Sequence, residues 1–212
     1  MFQKFGVSRL VVREVMRTLA AKGMVTSRTR VGTKVSDPAQ WNWLDPQVLE
    51  WRVKIGLDQA FLKQLTQVRL ALEPAAASLA AENRMEQDLV VMRAALKAMH
   101  GSGDDHQKFS DADRRFHDAI IAATHNPFFN AFNSATEVAL SRFLGVIALS
   151  VTANESTHIR SAAQHEKIFD GILARKPKAA AQAMVKVIKD GLKVGSKIVD
   201  GTSLADAERG KT

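Results

Sequence analysis

The chain has 212 residues, a formal net charge of +8 at pH 7 and no cysteine. This length leaves room for a small module and one helical domain, and the lack of cysteine excludes a disulfide framework and cysteine-ligated zinc. No apolar run approaches the ~18 residues of a transmembrane helix, and no signal peptide is visible, so we expect a cytoplasmic protein with no membrane partner.

The stretch from residue 6 to residue 35 predicts one helix, a turn and a short β-hairpin. Ser8 is a favourable N-cap, because its hydroxyl can accept a bond from a backbone N–H of the first turn. Gly23 is the expected C-cap, and segments 24–26 and 33–35 are the expected strands. The hairpin tip is expected to carry Arg28, Arg30 and Gly32. Apolar residues recur at i, i+3, i+4 and i+7 along the helix, at Val12, Val15, Met16 and Leu19.

Positive charge is concentrated in the same stretch. Residues 1–35 hold eight lysines and arginines against one acidic residue, Glu14, which gives +7 of the net +8. Arg9, Arg13 and Arg17 are spaced four residues apart and share a helix face away from the apolar stripe. A basic helix followed by a basic hairpin suits DNA phosphates and base edges; the alternative is a solvated, solubilising face.

The strings FGVSRLVVREVMRTLAAKGMV and RVGTKV resemble the second half of the winged helix-turn-helix of GntR-type bacterial transcription regulators. By this resemblance, Arg9 and Arg13 contact operator DNA from the recognition helix, and Arg28 or Arg30 contacts it from the wing. The full set of expected DNA-binding residues is Ser8, Arg9, Arg13, Arg17, Arg28, Arg30 and Lys34.

Members of that family usually have two further helices before this point. A lone helix with a hairpin cannot bury the apolar stripe. We therefore expect Met1 to be an internal methionine taken as a start, or the chain to be truncated. On that expectation, the 212-residue form binds operator DNA weakly or not at all.

Residues 36–57 are expected to form a linker. Pro38 and Pro46 are expected to interrupt any helix in it. Because a disordered tether would not carry three indoles, we expect the linker to pack, with its rings against the helical domain. The string WNWLDPQVLEW resembles the linker of regulators that control sugar-acid catabolism. All three tryptophans of the chain lie here, at Trp41, Trp43 and Trp51.

From residue 58 to residue 200 the sequence has helical periodicity, which predicts an all-α, antiparallel bundle of about six helices, with a tail at 201–212. Pro74 is expected to kink the first of them. The segment 128–150 is apolar on more than one face, which predicts a central helix or a homodimer surface. The expected helices after the first are 86–99, 104–124, 128–150, 157–174 and 177–199. The first helix is expected to point Phe61, Leu65, Val68, Leu72, Ala76 and Leu79 inward, and the second Leu89, Met92, Leu96 and Met99.

Candidate site residues lie within this helical region. Asp113 and His117 share a helix face beside an apolar stripe, and His165 borders another stripe. Spacing alone leaves two interpretations open: hydrogen-bonded core residues, or a metal or ligand site. Arg69 is a candidate carboxylate clamp, and the alternative is a surface ion pair with Glu73.

The strings DRRFHDAIIAATHNPFF and QHEKIFDGI resemble the ligand-binding FCD domain of the FadR-type branch of GntR regulators. The resemblance implies that Asp113, His117 and His165 bind a divalent metal such as Zn, Ni or Mn, with a small carboxylate or sugar-acid effector completing the shell. It also implies that Arg69 holds the effector carboxylate. Val187 stands where the family brings a third histidine, so weaker metal binding or a metal-free acid pocket is expected.

The sequence thus predicts a partial winged helix-turn-helix at 1–35, a linker at 36–57, and an effector-binding and dimerisation domain at 58–200. The expected function is an effector-responsive transcription regulator, a repressor of carbohydrate-acid catabolism, rather than an enzyme. Two alternatives are a DNA-binding-deficient ligand sensor and a metal-dependent enzyme using Asp113, His117 and His165.

Overall fold

The computed structural model describes residues 6–28, 32–56, 58–134 and 155–209. The chain divides into two compact units, Met1–Arg52 and Val53–Thr212. The first unit begins with helix α1, Arg9–Ala21, and continues with strands β1, Val25–Arg28, and β2, Gly32–Val35. A 3₁₀ turn, Pro38–Gln40, and helix α2, Pro46–Ile55, follow, and the boundary between the units falls inside α2.

Both ends of α1 are determined by local chemistry. Ser8 is confirmed as the N-cap, since its Oγ accepts a hydrogen bond from the Val11 amide at 3.3 Å. Lys22 is the C-cap, so the prediction of Gly23 was wrong by one residue. Gly23 follows with a φ of +71°, and a Cβ there would collide with the Gln40 carbonyl oxygen. The position therefore requires glycine for its left-handed backbone and for the close approach of another chain segment.

The hairpin is antiparallel, with Val25 opposite Val35 and Arg28 opposite Gly32. Each strand is one residue longer or shifted relative to the prediction. Arg28 and Gly32 therefore form the last paired residues of the two strands and do not lie in the hairpin turn. Arg30 lies outside the described residues.

The expectation that prolines interrupt helices between residues 36 and 57 was wrong. Pro38 begins the 3₁₀ turn, and Pro46 begins α2. A first helical residue needs no N–H bond within the helix, and the fixed φ of proline already suits it. Proline therefore starts helices here.

The indole-rich segment makes its described contacts inside the first unit. The Trp41 and Trp43 rings stack, with centroids 5.7 Å apart. Lys22 Nζ lies 2.6 Å from Asp45 Oδ2 and 5.8 Å from the Trp51 ring centroid. These contacts tie the segment to the end of α1.

The second unit is an all-α bundle, as predicted, with no strand among its described residues. Helix α3 packs against α7, α4 packs against α5 and α6, and α6 packs against α7. None of the helices in the described part of the chain is long and apolar enough to cross a membrane. The helical segments are α3, Gln59–Asn83; α4, Glu86–His100; α5, His106–Ala122; residues 127–134; α6, Glu155–Leu173; and α7, Pro177–Arg209.

The buried residues of α4 agree with the predicted inward face, and those of α3 agree only in part. All four residues predicted for α4 are buried. The face of α3 was partly wrong, because Val68 is 43% exposed and Leu72 and Leu79 are only half-buried. Phe61, Leu65 and Ala76 are buried as predicted. Ala77, Ala80 and Ala81 lay outside the predicted face and are also fully buried, and small side chains let neighbouring helices approach closely.

Other helix boundaries differ in detail. Helix α3 continues through Pro74 to Asn83 without a break. Helix α7 extends to Arg209, beyond the predicted end at 199, into the stretch expected as a tail. Of the predicted helix 128–150, the structure describes helical residues up to 134; residues 135–150 lie outside the described part.

The crossing of α6 and α7 generates a stability prediction. A Cβ at Gly171 would lie 2.7 Å from the Ala180 amide nitrogen and 2.9 Å from its Cα. We expect Gly171→Ala to lower the free energy of unfolding by about 1–3 kcal/mol, because the backbone of α7 must move away. Urea denaturation measures this change. Gly191→Ala is the matched control: nothing lies within 4 Å of its Cβ, so helix propensity should raise stability by up to about 1 kcal/mol. Equal effects of the two substitutions would contradict the prediction.

Candidate functional site

Arginines line the exposed side of α1. Arg9, Arg13 and Arg17 are all exposed. Arg13 and Arg17 each lie 3.9 Å from Glu14, and their side chains remain 76% and 83% accessible. Exposed pairs at this distance contribute little, so the face retains most of its positive charge.

The hairpin adds further basic groups. Arg28 and Lys34 are exposed on β1 and β2. Helix and hairpin together present a basic surface of the kind that binds a polyanion. Ser8, at the start of α1, is also exposed, and its hydroxyl is engaged as the helix cap.

Helix α1 also exposes apolar side chains. None of its residues is buried, and Leu10, Val11 and Val15 are 61%, 47% and 49% exposed. Of the predicted stripe, Val15 is exposed, whereas Val12, Met16 and Leu19 are half-buried. A short helix is stabilised mainly by burying its apolar face, and α1 leaves part of that face exposed.

Three predicted residues of the second unit meet in its interior. Asp113 and His117 lie on successive turns of α5, His165 lies on α6, and all three are buried. His165 Nε2 is 2.9 Å from Asp113 Oδ1 and 3.3 Å from His117 Nε2. We call these three residues the triad. Their ligand atoms lie within 4.8 Å of one another.

The hydrogen bonds of the triad constrain its protons. His165 Nδ1 donates to the Ser161 carbonyl at 2.8 Å, so in the neutral ring Nε2 carries a lone pair. That lone pair faces a carboxylate oxygen and a second imidazole nitrogen. The three atoms therefore need an extra proton or a cation among them.

Charge interactions within the site outweigh the effect of burial. Burial alone would raise the pKa of Asp113, but the nearby His165, His117 and Arg69 lower it. Burial would likewise lower the pKa of His117, but the carboxylates of Glu73 and Asp113 raise it. The site thus holds charged carboxylates in an apolar interior, where they need cationic partners.

Arg69 and Glu73 do form the i,i+4 ion pair considered above, but in the interior rather than on the surface. Arg69 Nε donates to Glu73 Oε1 at 2.5 Å and Nη2 donates to Oε2 at 3.2 Å. Both side chains are about nine-tenths buried. Burial opposes the charge of each, yet their attraction raises the pKa of Arg69 and holds that of Glu73 well below its usual range.

Glu73 also reaches the triad, which sequence reasoning missed. Its Oε2 lies 2.9 Å from His117 Nδ1. The ring N–H is not aligned for a hydrogen bond, so the contact is mainly electrostatic. The position of Glu73 in the sequence could have indicated this contact. Glu73 lies on the same buried helix face as Ala76 and Ala77, and a buried carboxylate needs a partner.

A pocket adjoins this ion pair. Its polar lining comes from Arg69, Glu73 and Asn133, and the remaining lining is apolar and includes Phe129 and Phe132. A concave, mostly apolar site with a few convergent polar groups is typical of small-molecule binding. Glu73 lines this pocket and also contacts His117 of the triad.

The triad fits a divalent metal. Two imidazole nitrogens and a carboxylate oxygen converge, and this donor set suits zinc or nickel with a coordination position left for another ligand. The buried Nδ1 of His117 faces the Glu73 carboxylate, as the outer nitrogen of a metal-bound histidine commonly does. Val187 is a buried apolar residue on α7 and offers no ligand atom.

Comparisons with family models match both units. Residues 1–35 match the model described as bacterial regulatory proteins, gntR family. Residues 64–190 match the FCD domain.

Individual proteins agree with these matches. The galactonate operon transcriptional repressor of Escherichia coli K12 is 32% identical over 88% of this chain and 80% of its own length. A probable D-xylose utilization operon transcriptional repressor of Paenarthrobacter nicotinovorans is 28% identical over 85% and 70%. The crystal structure of a GntR-family transcriptional regulator from Pseudomonas syringae pv. tomato shares the fold, with a TM-score of 0.59 and 18% identity over 97% of this chain and 76% of that one.

The geometry of the triad generates a metal-binding prediction. We expect Zn²⁺ to raise the melting temperature of chelator-treated protein, because binding to the folded state alone adds about 2.7 kcal/mol at a hundredfold excess over Kd. Asp113→Asn should remove most of this shift, since it removes the one charged ligand. Thermal denaturation followed by circular dichroism measures both. Asp111→Asn is the matched control, because Asp111 lies half-buried on the same helix and accepts a hydrogen bond from Gln107. An unchanged shift in Asp113→Asn would contradict the prediction.

Proposed function

The chain belongs to the GntR family of bacterial transcription regulators and carries an FCD domain, and we propose that it is a repressor whose operator affinity changes when a sugar acid binds its helical unit. Family membership makes it a regulator rather than an enzyme, so the metal-dependent enzyme alternative is wrong. A cytoplasmic location follows from the proposed role on DNA.

We assign operator binding to residues 1–35. Arg9, Arg13 and Arg17 on α1, with Arg28, Arg30 and Lys34 on the hairpin, would contact phosphates and bases. The exposed basic face of α1 supports this assignment. Residues 36–57 would connect this module to the effector-binding and dimerisation domain at 58–200, with 201–212 as its C-terminal extension.

We assign effector binding to the pocket of the second unit. The observation that carries this assignment is a buried arginine, Arg69, in a pocket wall that it shares with Glu73, which contacts His117 of the triad. The planar guanidinium would bind the effector carboxylate, and hydroxyl groups of a sugar acid would reach Asn133 and the triad. The names of the galactonate and D-xylose operon repressors support a carbohydrate-derived effector.

A metal ion bound by Asp113, His117 and His165 would supply a positive charge that attracts a carboxylate or hydroxyl oxygen of the effector. Arg69 would orient the acid from the wall of the pocket. Effector binding then alters operator affinity through a coupling free energy between the two sites.

We also propose a homodimer, because a two-fold regulator matches paired operator half-sites. Phe128 and Phe132 are 75% and 44% exposed at the start of the apolar segment 128–150, and they support a contact surface there. A DNA-binding-deficient ligand sensor is a second candidate, which the exposed apolar side chains of α1 favour.

The DNA-binding assignment is tested by fluorescence anisotropy with promoter DNA from upstream of the gene, at low salt. We expect Arg9→Ala and Arg13→Ala each to weaken binding about tenfold and to reduce the salt slope by about 0.9 for each lost phosphate contact. Lys97→Ala, an exposed lysine of the helical unit, is the control. Unaltered affinity and slope in both arginine variants would exclude α1 from the interface.

The effector assignment is tested by thermal shift against a panel of sugar acids that includes D-galactonate, with and without Zn²⁺. We expect at least one acid to stabilise the protein and Arg69→Gln to abolish that shift, because it removes the carboxylate partner. Arg114→Gln is the matched control, since Arg114 also pairs with a carboxylate four residues away, Asp118 at 3.2 Å. A shift that persists in Arg69→Gln would place the acid elsewhere.

A further inference from the structure

Glu73 connects the two parts of the site in the second unit. Its Oε1 accepts a hydrogen bond from Arg69 Nε at 2.5 Å. Its Oε2 lies 3.2 Å from Arg69 Nη2 and 2.9 Å from His117 Nδ1. One buried carboxylate therefore faces both the arginine of the pocket wall and a histidine of the triad.

We propose that Glu73 has two opposed effects on ligand binding: it positions His117 for a metal ion, and it competes with an external carboxylate for Arg69. The inference rests on the proposed function, since it concerns regulation of the same site. Glu73 is thus a positioning residue for the metal and an internal substitute for the effector carboxylate.

The first effect follows from the two nitrogens of His117. Nε2 faces His165 within the triad, and Nδ1 faces Glu73. A carboxylate beside the outer nitrogen of a metal-binding histidine sets its tautomer and raises its basicity. The contact is buried, since the side chains of His117 and Glu73 are only 6% and 11% exposed.

The second effect follows from the shape of the guanidinium group. A carboxylate binds arginine most strongly across two parallel N–H groups. Glu73 uses such an edge of Arg69, formed by Nε and Nη2. An incoming acid must displace Glu73 or bind beside it, and its negative charge is repelled by Glu73 in either case.

The test uses the isosteric variant Glu73→Gln in two calorimetric titrations. Zn²⁺ titrated alone into chelator-treated protein should bind 10 to 100 times more weakly than in the wild type, as for loss of other such outer partners. D-galactonate titrated into the metal-free protein should bind about tenfold more tightly. General damage to the fold weakens both, so the opposite signs identify Glu73. Glu86→Gln is the control: it also removes a carboxylate paired with an arginine, Arg84, but its side chain is 83% exposed.

A second comparison covers the case in which Glu73→Gln does not fold because Arg69 is left as a lone buried charge. The double variant Arg69→Gln/Glu73→Gln leaves no charge from the pair. Zn²⁺ should bind it 10 to 100 times more weakly than Arg69→Gln alone, which retains the carboxylate beside His117.

Unchanged Zn²⁺ affinity in the variants that lack Glu73, or no Zn²⁺ binding by the wild type, overturns the positioning role. Equal or weaker D-galactonate binding by Glu73→Gln, or no binding by either protein, overturns the competition. The wild-type titrations separately report on the proposed function: a wild type that binds no sugar acid counts against it, whatever Zn²⁺ does in the variants.

Discussion

The interior of the helical unit depends on a continuous chain of charge contacts from Arg69 through Glu73 to His117, with Asp113 and His165 beside it. Charged groups are costly to bury, and they persist only where partners compensate the lost water. Three helices supply these partners, so α3, α5 and α6 must keep their relative registers for the charges to meet.

The two units divide the chemistry of the chain between them. Nearly all of the net charge lies in residues 1–35, where a basic face gives affinity for a polyanion. The second unit instead encloses its charges, where a low dielectric makes each interaction stronger. Lys22, at the end of α1, pairs with Asp45 and lies near the Trp51 ring. The segment that follows the hairpin therefore packs against α1.

Much of the fold could be predicted from sequence because it depends on local rules. The cap at Ser8, the arginine spacing on α1 and the buried face of α4 all follow from helix geometry over a few residues. Asp113 and His117 were predicted to share a face for the same reason. Family resemblance added what periodicity cannot supply, namely that His165, on another helix, belongs with them.

Packing between helices decided the remainder. The buried side of α3 carries four alanines and Glu73, while Val68 is exposed, and α3 packs against α7. Sequence periodicity placed Phe61, Leu65 and Ala76 correctly and failed at Val68, because a pattern of apolar residues does not show which of them find neighbours. The sequence by itself determined the helices, the basic module and most of the candidate ligands. Only tertiary structure decided that Glu73 is buried between Arg69 and His117, since burial depends on neighbours distant in the chain.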